Sequence, residues 1–389
     1  MKKSVKTAVT ETKMDFLSFL KASPTQYHFA RLARDLLIEN GFTEFNFTSD
    51  TPARGFFVRE GRSVVAWNMK GTGSAVVFGC HCDSPGIKPM PDSKRCSIYG
   101  GPLIHTWLDR DLKLAGCIDS PYGPKLYESN GAVGICPSLA VHYKPLKEGL
   151  DKEENFNPMC EGELPDGDLF FVDAEEPRQI GDFVAAQRLD NLTSCYAGLM
   201  AFISTKDSNN DQLNIYIAFD NEEIGSNTWC GARSNIINDV ISMLVPRTLA
   251  HALKCNSLVL SADTLHGYNP LYDDKYAEDH HITVGSGIGL ERDASGSVCY
   301  GMVAEYAVRS AAKKLGYNIQ TTTEKNCEYG GTTIGPTTET VTGIRTVDIG
   351  IGVIGMHSIR EHCSAKDVSE LRDIVAELYS NYSKHKPSN

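Results

Sequence analysis

Residues 213–226 read LNIYIAFDNEEIGS, and residues 257–263 read SLVLSAD. Each begins as a short apolar run, the pattern of a strand covered on both faces. Each then ends on acid: Asp220-Asn221-Glu222-Glu223 in the first, Asp263 in the second. The run Ala75–Cys80 behaves alike and ends at His81-Cys82-Asp83, while the strand predicted over Ile344–Ile349 leads through GIGVIG to His357. Between these runs the apolar residues fall at helical spacing, over 26–40 (stopped by Gly41), Leu192–Ile203, Ile236–Leu253, Met302–Leu315 and Ala365–Tyr382. Strands alternating with helices predict an α/β fold, with a mostly parallel central sheet flanked by helices. In such sheets the ligand site lies beyond the carboxyl ends of the strands. His81, Glu222, Glu223 and Asp263 are therefore expected along one edge.

Outward from this frame the texture changes between about Pro85 and Arg178. Pro and Gly become frequent, and the apolar runs shrink to pieces such as Leu103–Trp107, Ala132–Ile135 and Leu139–Tyr143. Lys144–Asp168 is acidic and loop-like. The region reads as an all-β insert with long loops. The expected organisation is residues 1–87 and 181–389 as one discontinuous domain, with 88–180 inserted.

The chain has 389 residues and a formal net charge of −11. An acidic balance argues against nucleic-acid partners and against an anionic membrane surface. No apolar run reaches the roughly 18 residues of a membrane span. The N-terminal MKKSVKTAVTETKMD has a basic start without an apolar core, so no secretory signal is expected. The 12 cysteines are scattered, with no Cys-x-x-Cys pair, which reads as free thiols in a reducing, cytoplasmic compartment.

His81-x-Asp83 alone is an ordinary loop motif, and adjacent acids such as Glu222-Glu223 ordinarily sit on a solvated face. A double acid closing a buried strand is different, because its charge needs a partner. Asp263 repeats that arrangement. Asp190, in RLDNL, opens a predicted helix and by itself reads as an N-cap. Together His81, His357 and three carboxylates suit two divalent ions, with ligands appropriate to zinc. A carboxylate left over from Glu222 or Glu223, beside an activated water, is a natural general base. No Gly-x-Ser-x-Gly elbow or Lys-ended phosphate loop offers another chemistry.

SPTQYH at 23–28, HCDSPGIK at 81–88, TWLDRDLKLAG at 106–116 and RLDNLTSC at 188–195 resemble the aspartyl aminopeptidase family, which includes vacuolar aminopeptidase I. So do FDNEEIGS at 219–226, SADTLHGYNP at 261–270, GGTTIGP at 330–336, GIRTVDIG from 343 and MHSIRE ending at 361. They follow the family's order over nearly the whole chain. The resemblance implies a dinuclear zinc metalloaminopeptidase, with manganese or cobalt as alternative metals. It implies that His81 and Asp263 hold one ion, Glu223 and His357 the other, and that Asp190 bridges them. Glu222 would be the general base, Asp83 would orient His81, and the Asp190–Asn191 peptide would be cis. The insert would be a β-rich dimerisation domain whose His142 reaches the partner subunit's site. Dimers would assemble into a tetrahedral dodecamer that admits short peptides.

The chain departs from that pattern at the run Gly285-Ser286-Gly287-Ile288, where the family commonly carries a Lys, and at Glu291, where it tends to be basic. Arg292, Lys275 or Arg345 would have to meet an acidic substrate side chain. Ser286, Thr332 and Thr333 are candidate substrate contacts, although the 330–335 loop reads equally well as a tight turn. The expected activity is removal of the N-terminal residue of short peptides. The alternatives are a dinuclear deacylase of N-acyl amino acids, or an inactive assembly or cargo protein.

Overall fold

The computed structural model describes residues 14–387 except 92, 94, 144–151, 154, 155, 161 and 329. The MKKSVKTAVTETK stretch and much of the loop predicted after Lys144 therefore lie outside the described residues. A nine-stranded sheet forms the centre. Its order runs Thr43–Glu44, Arg54–Arg59, Ser63–Met69, Leu213–Phe219, Ala75–His81, Leu258–Ala262, Thr346–Gly350, Ile288–Glu291 and Ile319–Thr322. Its four middle strands, Leu213–Phe219 through Thr346–Gly350, are mutually parallel. Every residue of Leu213–Phe219, Ala75–His81 and Leu258–Ala262 is buried, which is why these strands read as unbroken apolar runs.

Five of the eight pairings are parallel, as the sequence predicts, and three antiparallel ones toward the flanks make the sheet mixed. Ser63–Met69 returns from Arg54–Arg59 through a three-residue turn with Glu60 and Gly61 at positive φ, and so tight a connection permits only antiparallel pairing. Ile288–Glu291 also runs antiparallel to Thr346–Gly350.

Helix Leu189–Ser204 lies on one face together with Met302–Leu315 and Ala365–Asn381, burying Leu192, Phe202, Val308, Leu371 and Leu378 against the sheet. On the other face, Ile236, Ile237, Val240 and Ile334 pack on Val77, Ile215 and Val259. Each such side chain, fully withdrawn from water, contributes about 1.5–3 kcal/mol. The helix expected over Ile236–Leu253 is two, Ile236–Leu244 and Arg247–Cys255. Pro246 separates them: it has no N–H to continue the ladder, and it holds Val245 extended.

Strands Gly86–Pro89, Cys96–Tyr99, Leu112–Ile118, Lys125–Glu128, Gly134–Ile135, Met159–Cys160 and Gly167–Asp173 build a second, antiparallel sheet around Ile87, Trp107, Leu114 and Phe171. Of the apolar pieces that suggested strands there, Leu103–Trp107 contains only a 3-10 turn at Ile104–Thr106. Leu139–Tyr143 forms no strand and is exposed. A third, small sheet pairs Phe183–Ala186 with Glu361–Ser364, so that Glu361 faces Ala186 just before the chain reaches Asp190.

Candidate metal centre

Five chain segments converge at the carboxyl edge of the parallel strands. His81 ends its strand, and Asp263 follows the adjacent one directly. Glu222 and Glu223 occupy the 3-10 turn after Leu213–Phe219. Asp190 opens the long buried helix, and its peptide bond to Asn191 is cis. His357 sits at φ 67 in the turn before Glu361–Ser364.

His81 Nε2 is 3.1 Å from Asp263 Oδ1 and 3.3 Å from Asp190 Oδ1. His357 Nε2 is 3.3 Å from the other Asp190 oxygen and 3.4 Å from Glu223 Oε2. Within each of the sets His81/Asp190/Asp263 and Asp190/Glu223/His357, one ligand atom per residue lies within 4.8 Å of the others. His81, Glu222 and Glu223 form a third such set. Asp190 thus turns one carboxylate oxygen toward each histidine.

The electrostatics ask for cations. Burial, and then the neighbouring acids against the charge of His81, push the Glu222 carboxyl up to about 8. Burial drives Glu223 well above the carboxylate range, with Asp190 adding to it, and raises Asp263 as well. Burial opposes the charge on both imidazoles, yet their carboxylate partners raise His357 to about 9 and His81 well above its ordinary value. Burial would raise Asp190 too, but the His357 and His81 rings beside its carboxylate hold it well below the usual range. Asp190 Oδ1 and Glu223 Oε1 are buried without a hydrogen-bond donor among the described residues. Imidazole and carboxylate donors with orphaned oxygens and too few positive charges fit divalent ions.

A surrounding set of bonds fixes these groups. Asp83 accepts from the Glu222 and Glu223 N–H groups, both at 3.1 Å, and from the Tyr99 hydroxyl at 2.8 Å. Its carboxylate oxygen stands 3.5 Å from His81 Nδ1, which lies closer, at 3.2 Å, to the Asp83 carbonyl. Asp83 therefore holds the two-glutamate turn more directly than it holds the His81 ring. Glu361 accepts from the Asp190 N–H at 3.0 Å and the His357 N–H at 2.7 Å. The Gly101 carbonyl is 3.0 Å from His357 Nδ1. Sequence reasoning named neither Glu361 nor Tyr99. Glu361 closes the MHSIRE motif, an acid four residues after a candidate ligand, which is a usable signal; Tyr99 offered none.

The candidate substrate contacts do not join this cluster through any described contact. The Thr333 hydroxyl donates to Asp348 at 2.6 Å and accepts from the Gly335 N–H, capping a helix. The Thr332 hydroxyl donates to the Ser297 carbonyl. Ser286 is exposed on a turn whose flanking Gly285 and Gly287 N–H groups bind Asp367. His142 is exposed at the edge of the undescribed 144–151 segment. Nor do the cations suggested for an acidic side chain stand free: Arg292 pairs with Glu305, Lys275 with Glu328, and Arg345 donates to the Cys255 carbonyl.

A protein-family description, the aminopeptidase I zinc metalloproteases (M18), matches residues 19–164 and 160–379. A probable M18 family aminopeptidase 2 of Pseudomonas savastanoi pv. phaseolicola is 29% identical over 431 residues, covering 96% of this chain and 99% of its own. The protein of the same name from Streptomyces avermitilis is 32% identical over 408 residues, covering 91% and 94%. The solved mApe1 dodecamer of S. cerevisiae superposes with a TM-score of 0.79 at 26% identity, over 95% of this chain and 96% of that one. An acid-and-imidazole cluster at the edge of an α/β sheet is what a zinc peptidase needs, and likeness over nearly the full length accounts for it: the chain belongs to the M18 family of metalloaminopeptidases.

Proposed function

We propose that this aminopeptidase removes the N-terminal residue of short peptides at a two-metal site, with Glu222 as general base. His81 and Asp263 would hold one divalent ion, Glu223 and His357 the other, and Asp190 both. The observation that carries this reading is the division of Asp190, one oxygen at 3.3 Å from each histidine. Zinc is the expected metal, with manganese or cobalt as alternatives. When bound, the ions would polarise the scissile carbonyl and acidify the attacking water.

Glu222 is the carboxylate beyond the two sets that share Asp190, close enough to His81 and Glu223 to serve the same water. It takes that water's proton and returns it to the leaving amine nitrogen. Asp83, gripping the Glu222 N–H, is a positioning residue for this transfer. The substrate's free ammonium group would sit beside the acidic cluster. An N-acyl amino acid lacks that ammonium, so the deacylase alternative gains no support.

The catalytic domain is taken as 1–87 plus 181–389, and 88–180 as a dimerisation insert. Exposed Leu139, Val141 and Tyr143 flank His142 and suit burial by a second copy. His142 would donate to the carbonyl oxygen in the partner's site, with dimers assembling further toward a dodecamer. Among the described residues no helix is long and apolar enough to cross a membrane. The 12 cysteines stand unpaired, which supports the cytoplasm as the compartment.

The test is steady-state hydrolysis of aminoacyl anilides and their N-acetylated forms by metal-loaded and chelator-treated protein. Chelator-sensitive release of free-amine substrates alone is expected. Glu222→Gln should lower kcat by at least about 10²-fold while metal content stays at the wild-type level; wild-type turnover in that variant refutes the base assignment. Mixing inactive Glu222→Gln with His142→Ala should restore activity if the histidine acts across the dimer. No recovery by a mixture shown to form hybrid dimers overturns that role.

A further inference from the structure

Glu291 ends the strand Ile288–Glu291, two strands across the sheet from Asp263. The register pairs Leu290 with Ile349 and Ser261 with Asp348. Continuing it sets Glu291 beside Asp348, so Ser261, Asp348 and Glu291 form one row on one face. Asp263, two residues past Ser261, belongs to that face as well. Two strand spacings separate the Glu291 and Asp263 strands, about 10 Å.

The two acids in the row differ in their partners. The Asp348 carboxylate is satisfied by the hydroxyls of Ser261 and Thr333 and the Cys299 N–H. Glu291 is mostly buried, and its carboxylate has no hydrogen bond or ion pair with any described residue. Burial, with Asp348, Glu324, Asp263 and Asp293 around it, pushes its carboxyl up to about 8. The one cation next in sequence, Arg292, turns to Glu305 instead. Beside the proposed metal site, on the same face as one of its ligands, there is thus a carboxyl group that no described residue pairs with.

We propose that Glu291 is the specificity residue for the substrate's first side chain and selects lysine or arginine there. This rests on the aminopeptidase reading of the same site. The long stem of Lys or Arg spans the gap from the reacting carbonyl to Glu291 and delivers a cation, which removes the cost of the uncompensated charge. An Asp or Glu side chain would add a negative charge to the row.

The experiment compares kcat/KM for Lys, Arg, Leu and Glu anilides on the metal-loaded full chain. Lys and Arg should exceed Leu by about tenfold or more, with Glu poorest. Glu291→Gln, which keeps the shape and removes only the unpaired charge, should collapse the Lys-to-Leu ratio by about tenfold. Glu291→Lys should raise the Glu substrate above the Lys one. An equal loss on every substrate in Glu291→Gln would mean that the residue serves the common amine or the fold, and would overturn the proposal; so would a wild-type preference for Leu or Glu. Thermal stabilisation of the metal-loaded protein by free L-lysine, compared with L-leucine, reads the pocket without turnover. Lysine stabilisation lost in Glu291→Gln, with no hydrolysis of any substrate, would sink the aminopeptidase reading alone. No lysine stabilisation alongside active hydrolysis would sink the pocket alone.

Discussion

Asp83→Asn probes whether the two-glutamate turn is held by a charge or by shape alone. Asn has the same size and keeps one acceptor. Its oxygen is best left toward the Glu223 N–H and Tyr99 hydroxyl, which places the NH2 group against the Glu222 N–H. One charge-assisted bond is then lost, at about 1.5–3 kcal/mol, and a buried N–H is stranded at about 1–3 kcal/mol. The sum, roughly 2.5–6 kcal/mol, falls on Glu222 more than on Glu223. Tyr99 stays anchored by Asn221, whose amide donates to its hydroxyl at 2.9 Å. Loosening a proton-transferring group by even about 1 Å costs on the order of 10²-fold in rate. The variant should therefore lose about 10²-fold in kcat and a few kcal/mol in urea-measured stability, yet keep its metal. Kinetics, elemental analysis and urea titration on one preparation read all three. Wild-type kcat with unchanged stability would refute the clamp; loss of metal with kcat retained per bound ion would place the effect on Glu223 instead.

Other predictions concern charge and packing. Glu222 and Glu361 both have carboxyls raised from 4.5 to about 8, burial being the largest cause. In metal-free protein the unfolded chain releases these protons near 4.5 and the folded chain only near 8, so stability should fall as pH rises across that window. His357, raised from 6.5 to about 9, acts in the same direction between those values. Urea midpoints of chelator-treated protein should be lower at pH 8 than at pH 5.5, and zinc should abolish the difference; a rise with pH would contradict the charge reading. Gly350→Ala would put a Cβ 1.7 Å from the Asp263 carbonyl oxygen. Separating the two strands should cost about 3 kcal/mol and lower metal occupancy; denaturation within about 1 kcal/mol of wild type at full occupancy would count against it.

The edge of the sheet was legible because burial on both faces leaves parallel strands as plain apolar runs, and a charge that ends such a run must have a purpose. His81, Glu222, Glu223 and Asp263 could be read that way. Asp190 and His357 were weaker signals: a helix-opening Asp has an ordinary capping role, His357 follows its strand only through a Gly-rich run, and it was the resemblance that gave each a definite place among the ligands. The break at Pro246 was visible in the residues and overlooked, because an apolar period spans it. Pairing direction at the flanks depended on the length and φ values of a turn at Glu60-Gly61, which hydrophobic pattern does not encode.

By itself the sequence determined the alternation of strands and helices, the acids at the strand ends and the family, all of which are local pattern or ordered motif. Only the tertiary structure decided that Asp190 stands between two histidines more than 270 residues apart in the chain, since 357 − 81 = 276. It also brought Glu361 under both Asp190 and His357, turned Arg292 to Glu305, and left the Glu291 carboxylate without a partner among the described residues. These are distances between side chains on separate strands, set by register and packing, and no single stretch of sequence carries them.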